Sequence, residues 1–95
     1  MIKIKDIVQD TYTNASGYVL YLALVNELEN STNVVSLSFE GVSSTSSSFL
    51  NSSLGAIIDE RSINILKRIK PINVAATQAE ILKKYIQSAS KLAKN

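Results

Sequence analysis

Ninety-five residues, 45% hydrophobic and 19% charged, make enough chain for one domain with one modest core, and the mixture is that of a globular chain, not a disordered one. There is no cysteine and no histidine, so disulfides, thiolate metal ligands and the usual general base are excluded, and catalysis would rest on carboxylates, lysines or tyrosines alone. Residues 1–60 carry two Lys/Arg against seven Asp/Glu, and residues 61–95 carry eight against one, which predicts a dipolar molecule with a basic, solvated face on a terminal helix.

The longest apolar run, Tyr18 to Val25, is eight residues, whereas a membrane-spanning helix needs about twenty. Met1 to Asp6 alternates charge and lacks a signal-peptide core. The expectation is a cytoplasmic protein without a membrane segment.

Ile2-Lys3-Ile4-Lys5-Asp6-Ile7 alternates apolar and polar residues, the period of a half-buried strand, and its lysines suit an edge. Gln9 to Gly17 reads as a loop, with Asn14 or Ser16 able to cap the next element. Tyr18 to Leu28 is long for a strand and rich in helix formers, although Tyr18 to Leu22 alone fits a strand. As a helix it would turn Val19, Leu22, Ala23 and Leu28 to the sheet.

Val34 to Phe39 is the clearest strand, closed by Glu40-Gly41. Val35, Leu37 and Phe39 share one face, and Val34 adds apolar surface on the other, which predicts a central position. After the hydroxyl run Ser43 to Ser48, Leu50, Leu54, Ile57 and Ile58 keep a helical period. Ser46 or Ser47 would cap that helix. Gly55 inside it points to close backbone packing, here expected onto the strand from Val34 to Phe39.

Asp59 to Lys67 has room for a helical turn. Arg68 to Val74 reads as a strand, and Pro71, lacking an amide donor, places it at an edge or limits its pairing. Thr77-Gln78-Ala79-Glu80 has the form of a capping box. Leu82, Tyr85, Ile86, Ala89 and Leu92 then make an apolar stripe, with Lys83, Lys84, Gln87, Ser88 and Lys91 opposite. The order β-α-β-α-turn-β-α over residues 1–95 predicts a small α/β domain with a mainly parallel or mixed sheet and helices packed on it. Three strands are narrow, and a further strand near Val8 to Thr13 or a partner's edge would widen the sheet.

Val34-Val35-Ser36-Leu37-Ser38-Phe39-Glu40-Gly41-Val42, then Thr45-Ser46-Ser47-Ser48-Phe49-Leu50-Asn51 and Leu54-Gly55, resembles the signature of the STAS-like family of bacterial proteins. Arg68-Ile69-Lys70, Asn73 and Glu80-Ile81-Leu82-Lys83 with Ile86 fit that family's last strand and helix, and Gly17 sits where it often has a glycine. The resemblance covers most of residues 14–92. It implies a non-catalytic signalling module related to anti-sigma-factor antagonists. In those, a strand leads to an Asp-Ser-Ser-Gly-Leu turn whose second serine is phosphorylated by an ATP-binding anti-sigma kinase. Ser46, Ser47, Ser48, Phe49 and Leu50 occupy the five positions, with Ser46 for the aspartate and Phe49 for the glycine. Ser48 would be the acceptor, and Ser47 lies closest to the STAS-like pattern.

The candidate interaction turn is thus Ser46, Ser47, Ser48, Phe49 and Asn51. The implied partner is an ATP-binding, histidine-kinase-like regulator, with a homodimer permitted and no cofactor or metal called for. The plain structural alternative is that the serines are caps and turn residues. Glu27/Glu29 and Asp59/Glu60 could serve as acid and base, but read as solvated helix ends. The tyrosines do not alternate with basic residues as single-strand binders require. A small nucleic-acid-associated protein using Lys83, Lys84, Lys91 and Lys94 is the alternative function.

Overall fold

The computed structural model describes the backbone of residues 1–93 and the side chains of residues 1–91. Its strands are β1 (Ile2–Lys3), β2 (Val35–Ser38) and β3 (Ile69–Ile72), and its α-helices are α1 (Ile4–Ile7), α2 (Asn14–Asn30), α3 (Ser47–Leu50), α4 (Ala56–Arg61) and α5 (Ala76–Ala93). A π-helical segment, Asn51–Gly55, joins α3 to α4, and a 3₁₀ segment, Ile63–Arg68, leads into β3. The five helices pack on a parallel sheet of order β1-β2-β3.

The central, parallel placement of β2 agrees with its sequence. Val35 and Leu37 are buried on one face, and Phe39 continues that row just past the strand. Full burial of such a side chain contributes about 1.5–3 kcal/mol. Val34 is the exception: it lies outside the strand and is exposed. Pro71 falls in the edge strand β3, opposite Leu37, where the missing N–H costs the ladder least.

The expected strand over Ile2 to Ile7 is cut to two residues. Ile2 and Lys3 pair with Leu37 and Ser38. The chain then turns into α1, which puts Ile4 in the core and leaves Ile7 exposed. No extra strand forms over Val8 to Thr13. That stretch is a turn organised by the Asp10 carboxylate, which accepts from the amides of Tyr12 and Thr13 at 2.9 Å each.

The long apolar segment is a helix, and it starts earlier than expected. Its cap is Thr13, not Asn14 or Ser16: the Thr13 hydroxyl accepts from the Ser16 amide at 3.2 Å. The buried face is Ser16, Gly17, Leu20, Leu24 and Leu28. Leu28 is as expected and Ala23 is half-buried, but Val19 and Leu22 face solvent. The helix is apolar on all sides, so periodicity could not choose a face; small side chains did. At Gly17 the helix meets the π-segment, and an added Cβ would lie 2.6 Å from the Phe49 carbonyl oxygen.

The helix after the serine run forms with Leu50, Leu54 and Ile57 buried, but it widens at Asn51–Gly55. Serine hydroxyls bond back to helix carbonyls there: Ser52 to Ser48 at 2.8 Å and Ser53 to Phe49 at 2.7 Å. Such bonds compete with the backbone ladder and loosen it. Gly55 does not pack on β2. It faces α5, where an added Cβ would meet the Tyr85 hydroxyl at 2.5 Å.

α5 begins at Ala76, one residue before the expected cap, so Thr77 and Glu80 do not act as a capping box. The Thr77 hydroxyl instead donates to the Ser43 carbonyl at 3.2 Å. Leu82 is buried, and Ile81, Tyr85, Ile86 and Ala89 are half-buried beside it. The side chain of Leu92, and Lys94, lie outside the described residues.

α2 lacks a basic residue in its last turn. Arg68 supplies the charge from the far side of β2: its guanidinium donates to the carbonyls of Leu28 at 3.3 Å, Ser31, and Asn33 at 3.3 Å. The Leu28 and Ser31 carbonyls are orphan acceptors that a helix C-terminus leaves at its negative end, and Asn33 lies just beyond the cap.

Candidate functional site

The hydroxyl run leaves the C-terminal end of β2 and is stitched down on two sides. On one side Thr11 and Tyr12 hold it. The Thr11 hydroxyl donates to the Ser44 carbonyl at 2.8 Å, the Ser46 amide to the Thr11 carbonyl at 3.0 Å, and the Ser46 hydroxyl to the Tyr12 carbonyl at 2.7 Å. On the other side the start of α5 holds it through Thr77 and Ser43, and through Gln78. The Gln78 amide nitrogen donates to the Thr45 hydroxyl at 3.0 Å, with both side chains buried. The Gln78 carbonyl oxygen is buried without a partner.

Within the run the serines divide by task. Ser46 is the cap of α3, accepting from the Phe49 amide at 3.1 Å while donating to Tyr12. Ser47 and Ser48, the first two residues of the helix, are exposed. Phe49 has no exposed surface and belongs to the core. It cannot contribute its side chain to an interaction surface, because the position that a glycine occupies in the related turn here drives an aromatic ring inward. Asn51 is exposed one turn further on.

A groove of about 1120 Å³ runs beside this turn, between the α3–α4 helix and α5. Ser47, Asn51, Asp59 and Ser62 line one wall, and Lys84, Tyr85 and Ser88 the other, with Leu50, Ile58 and Ile81 beneath. Tyr85 of α5 lies across Gly55. The Tyr85 hydroxyl donates to the Leu50 carbonyl at 3.4 Å, and burial, with Asp59 nearby, raises its pKa above the ordinary phenol value.

Of the acidic pairs, Asp59 lines the groove, and Glu29 and Glu60 serve as ties. Glu29 pairs with Arg61 at 3.3 Å, and Glu60 accepts from the Tyr21 hydroxyl, a bond that raises the Tyr21 pKa. Among the described residues no group of three or more His, Cys, Asp or Glu is placed to hold a metal ion. The basic half is partly spent on the fold: Arg61 on Glu29, and Arg68 on the end of α2. Lys83, Lys84 and Lys91 remain exposed on α5.

The sequence locates the serine turn but not its anchors. Thr45, Thr11, Tyr12 and the capping role of Arg68 carry no comparable signal in the chain's pattern. Gln78 leaves a trace: it stands four residues before Leu82 on the apolar stripe, where a polar side chain must be buried with a partner.

No helix among the described residues is long and apolar enough to cross a membrane. The model of one protein family, described as a STAS-like domain of unknown function (DUF4325), matches residues 16–79. That span runs from the first turn of α2 through the serine turn to the first residues of α5. No curated protein and no solved structure matches the chain.

Proposed function

The chain belongs to the STAS-like family of domains of unknown function, and from that premise we propose that it is a non-catalytic regulatory module that works by binding another protein. What supports this reading is the division within one serine run. Ser46 is consumed in holding the turn, while Ser47 and Ser48 present unburied hydroxyls at the start of a helix, on a platform fixed from both sides. A phosphate at Ser48 would add roughly −1.5 to −2 charge next to free helix amides, which favour negative charge. The neighbouring Ser47 lines a groove whose other wall carries Lys84.

The partner of this reading is an ATP-binding, anti-sigma-kinase-like regulator in the cytoplasm. The lack of histidine and cysteine supports a role without chemistry of its own. Affinity capture from the native host, with wild type, Ser47→Ala and Ser48→Asp as baits, tests it. An ATP-binding regulator should be held by wild type and lost or gained at least tenfold with Ser48→Asp. If neither substitution alters any captured protein, the serines only build the turn.

A further inference from the structure

α2 has two apolar faces, and the protein's own core uses one. Leu20, Leu24 and Leu28 point inward. On the opposite side Tyr18, Val19 and Leu22 are each more than 40% exposed. Ala15, Tyr18, Leu22 and Val25 succeed one another at steps of three and four, the spacing of a helix–helix seam, with Val25 half-buried against the protein's own core at its end. Tyr18 stacks on Tyr21 with centroids 5.9 Å apart, which holds the ring in place along it. A helix that is apolar all round is ordinarily covered on all sides.

The occupant is constrained by charge. Asn14 to Val25 contains no ionisable acid or base apart from its two tyrosines, and no Lys or Arg occurs between Lys5 and Arg61. An anionic membrane or a nucleic acid would ask for basic residues beside the seam, and a charged protein partner for complementary ones. A two-fold axis asks for neither. Near the axis each side chain meets its own copy, so a seam without charge is the one that escapes like-charge repulsion. The single charge in line with the seam, Glu29, is already paired with Arg61. In an antiparallel pair it would lie toward the positive N-terminal end of the facing helix.

We propose that the outer face of α2 is a homodimer interface, formed by two antiparallel α2 helices around a two-fold axis at Leu22. Leu22 is the middle residue of Asn14–Asn30, so Tyr18 faces Asn26 of the partner subunit across the axis. This assignment does not rest on the reading of the serine turn.

Sedimentation at about 100 µM, a concentration that populates a micromolar dimer, should give twice the 10.4 kDa chain mass. Leu22→Glu should weaken association at least tenfold with an unchanged far-UV spectrum. The chain has no cysteine, so Leu22→Cys should cross-link to itself on mild oxidation while Lys83→Cys on α5 does not, a readout that survives if the glutamate variant fails to fold. A wild type that remains at 10.4 kDa overturns the proposal. So does a dimer indifferent to Leu22→Glu, equal cross-linking of both thiols, or pelleting of the monomer with phosphatidylserine vesicles.

Discussion

Gly17 of α2 and Ser52 of the π-segment cross so closely that a Cβ on Gly17 would overlap the Ser52 hydroxyl and lie 2.6 Å from the Phe49 carbonyl oxygen. The hydroxyl could rotate away; the carbonyl belongs to the helix itself. Gly17→Ala gains about 1 kcal/mol of helix propensity but must push two helices apart, so a net loss of about 1–3 kcal/mol is expected. Gly55→Ala is the internal comparison. Its close neighbour is the far end of Tyr85, so that substitution should be neutral or stabilising by up to about 1 kcal/mol. Urea midpoints of the two variants should move in clearly different ways; equal losses would show that the crossing at Gly17 is not special.

Arg68 joins the start of β3 to the end of α2, 37 residues away at Ser31. Arg68→Ala should cost about 1–2 kcal/mol, less than a fully satisfied charged cap, because its Nε is itself buried without a partner. Arg68→Lys, a single point of charge, should recover only part. Hydrogen exchange should quicken in the last turn of α2 before it does in β2. Uniform acceleration across the molecule would assign the loss to packing in general.

Much of the fold is legible where local and tertiary preferences agree. The β-branched run at Val35, the edge proline at 71 and the stripe around Leu82 all declare themselves. The misreadings share one physical cause: the deciding term lies in a distant part of the chain. α2 turns Leu20 inward because Gly17 lets a second helix in. At the site, the serine run is visible as composition, but its division is not. Only Tyr12 and Gln78, 34 and 33 residues from their partners, reveal which hydroxyls are structural.

Asp10 provides the pH dependence. Amide donation from Tyr12, then Thr13, lowers its pKa below the ordinary 3.8. A carboxylate with a depressed folded pKa stabilises the protein at pH above its unfolded value of 3.8, and that contribution drains away as pH falls through the folded value. Asp10→Asn should therefore lower stability at neutral pH and flatten the loss on acidification below 3.8. Titrating unfolding midpoints from neutrality into that range for both proteins checks it, and parallel curves would remove Asp10 from the account.

Ser46 and its two neighbours make the sharpest separation between scaffold and surface. The Ser46 hydroxyl accepts from the Phe49 amide and donates to the Tyr12 carbonyl, so Ser46→Ala should cost about 1–2 kcal/mol. Ser46→Asp keeps an acceptor for Phe49 but loses the donor to Tyr12, and should fall between. Ser47→Ala and Ser48→Ala remove hydroxyls at exposed positions of the first turn, and each should change stability by less than about 0.5 kcal/mol. Scaffold and surface variants then carry opposite signatures in partner binding. Ser46→Ala should weaken capture only as far as it destabilises the turn, and recover on cooling. Ser47→Ala or Ser48→Asp should alter capture with the unfolding midpoint unmoved. A Ser48→Ala variant that destabilises as much as Ser46→Ala would place Ser48 among the structural caps and take the exposed-hydroxyl surface away.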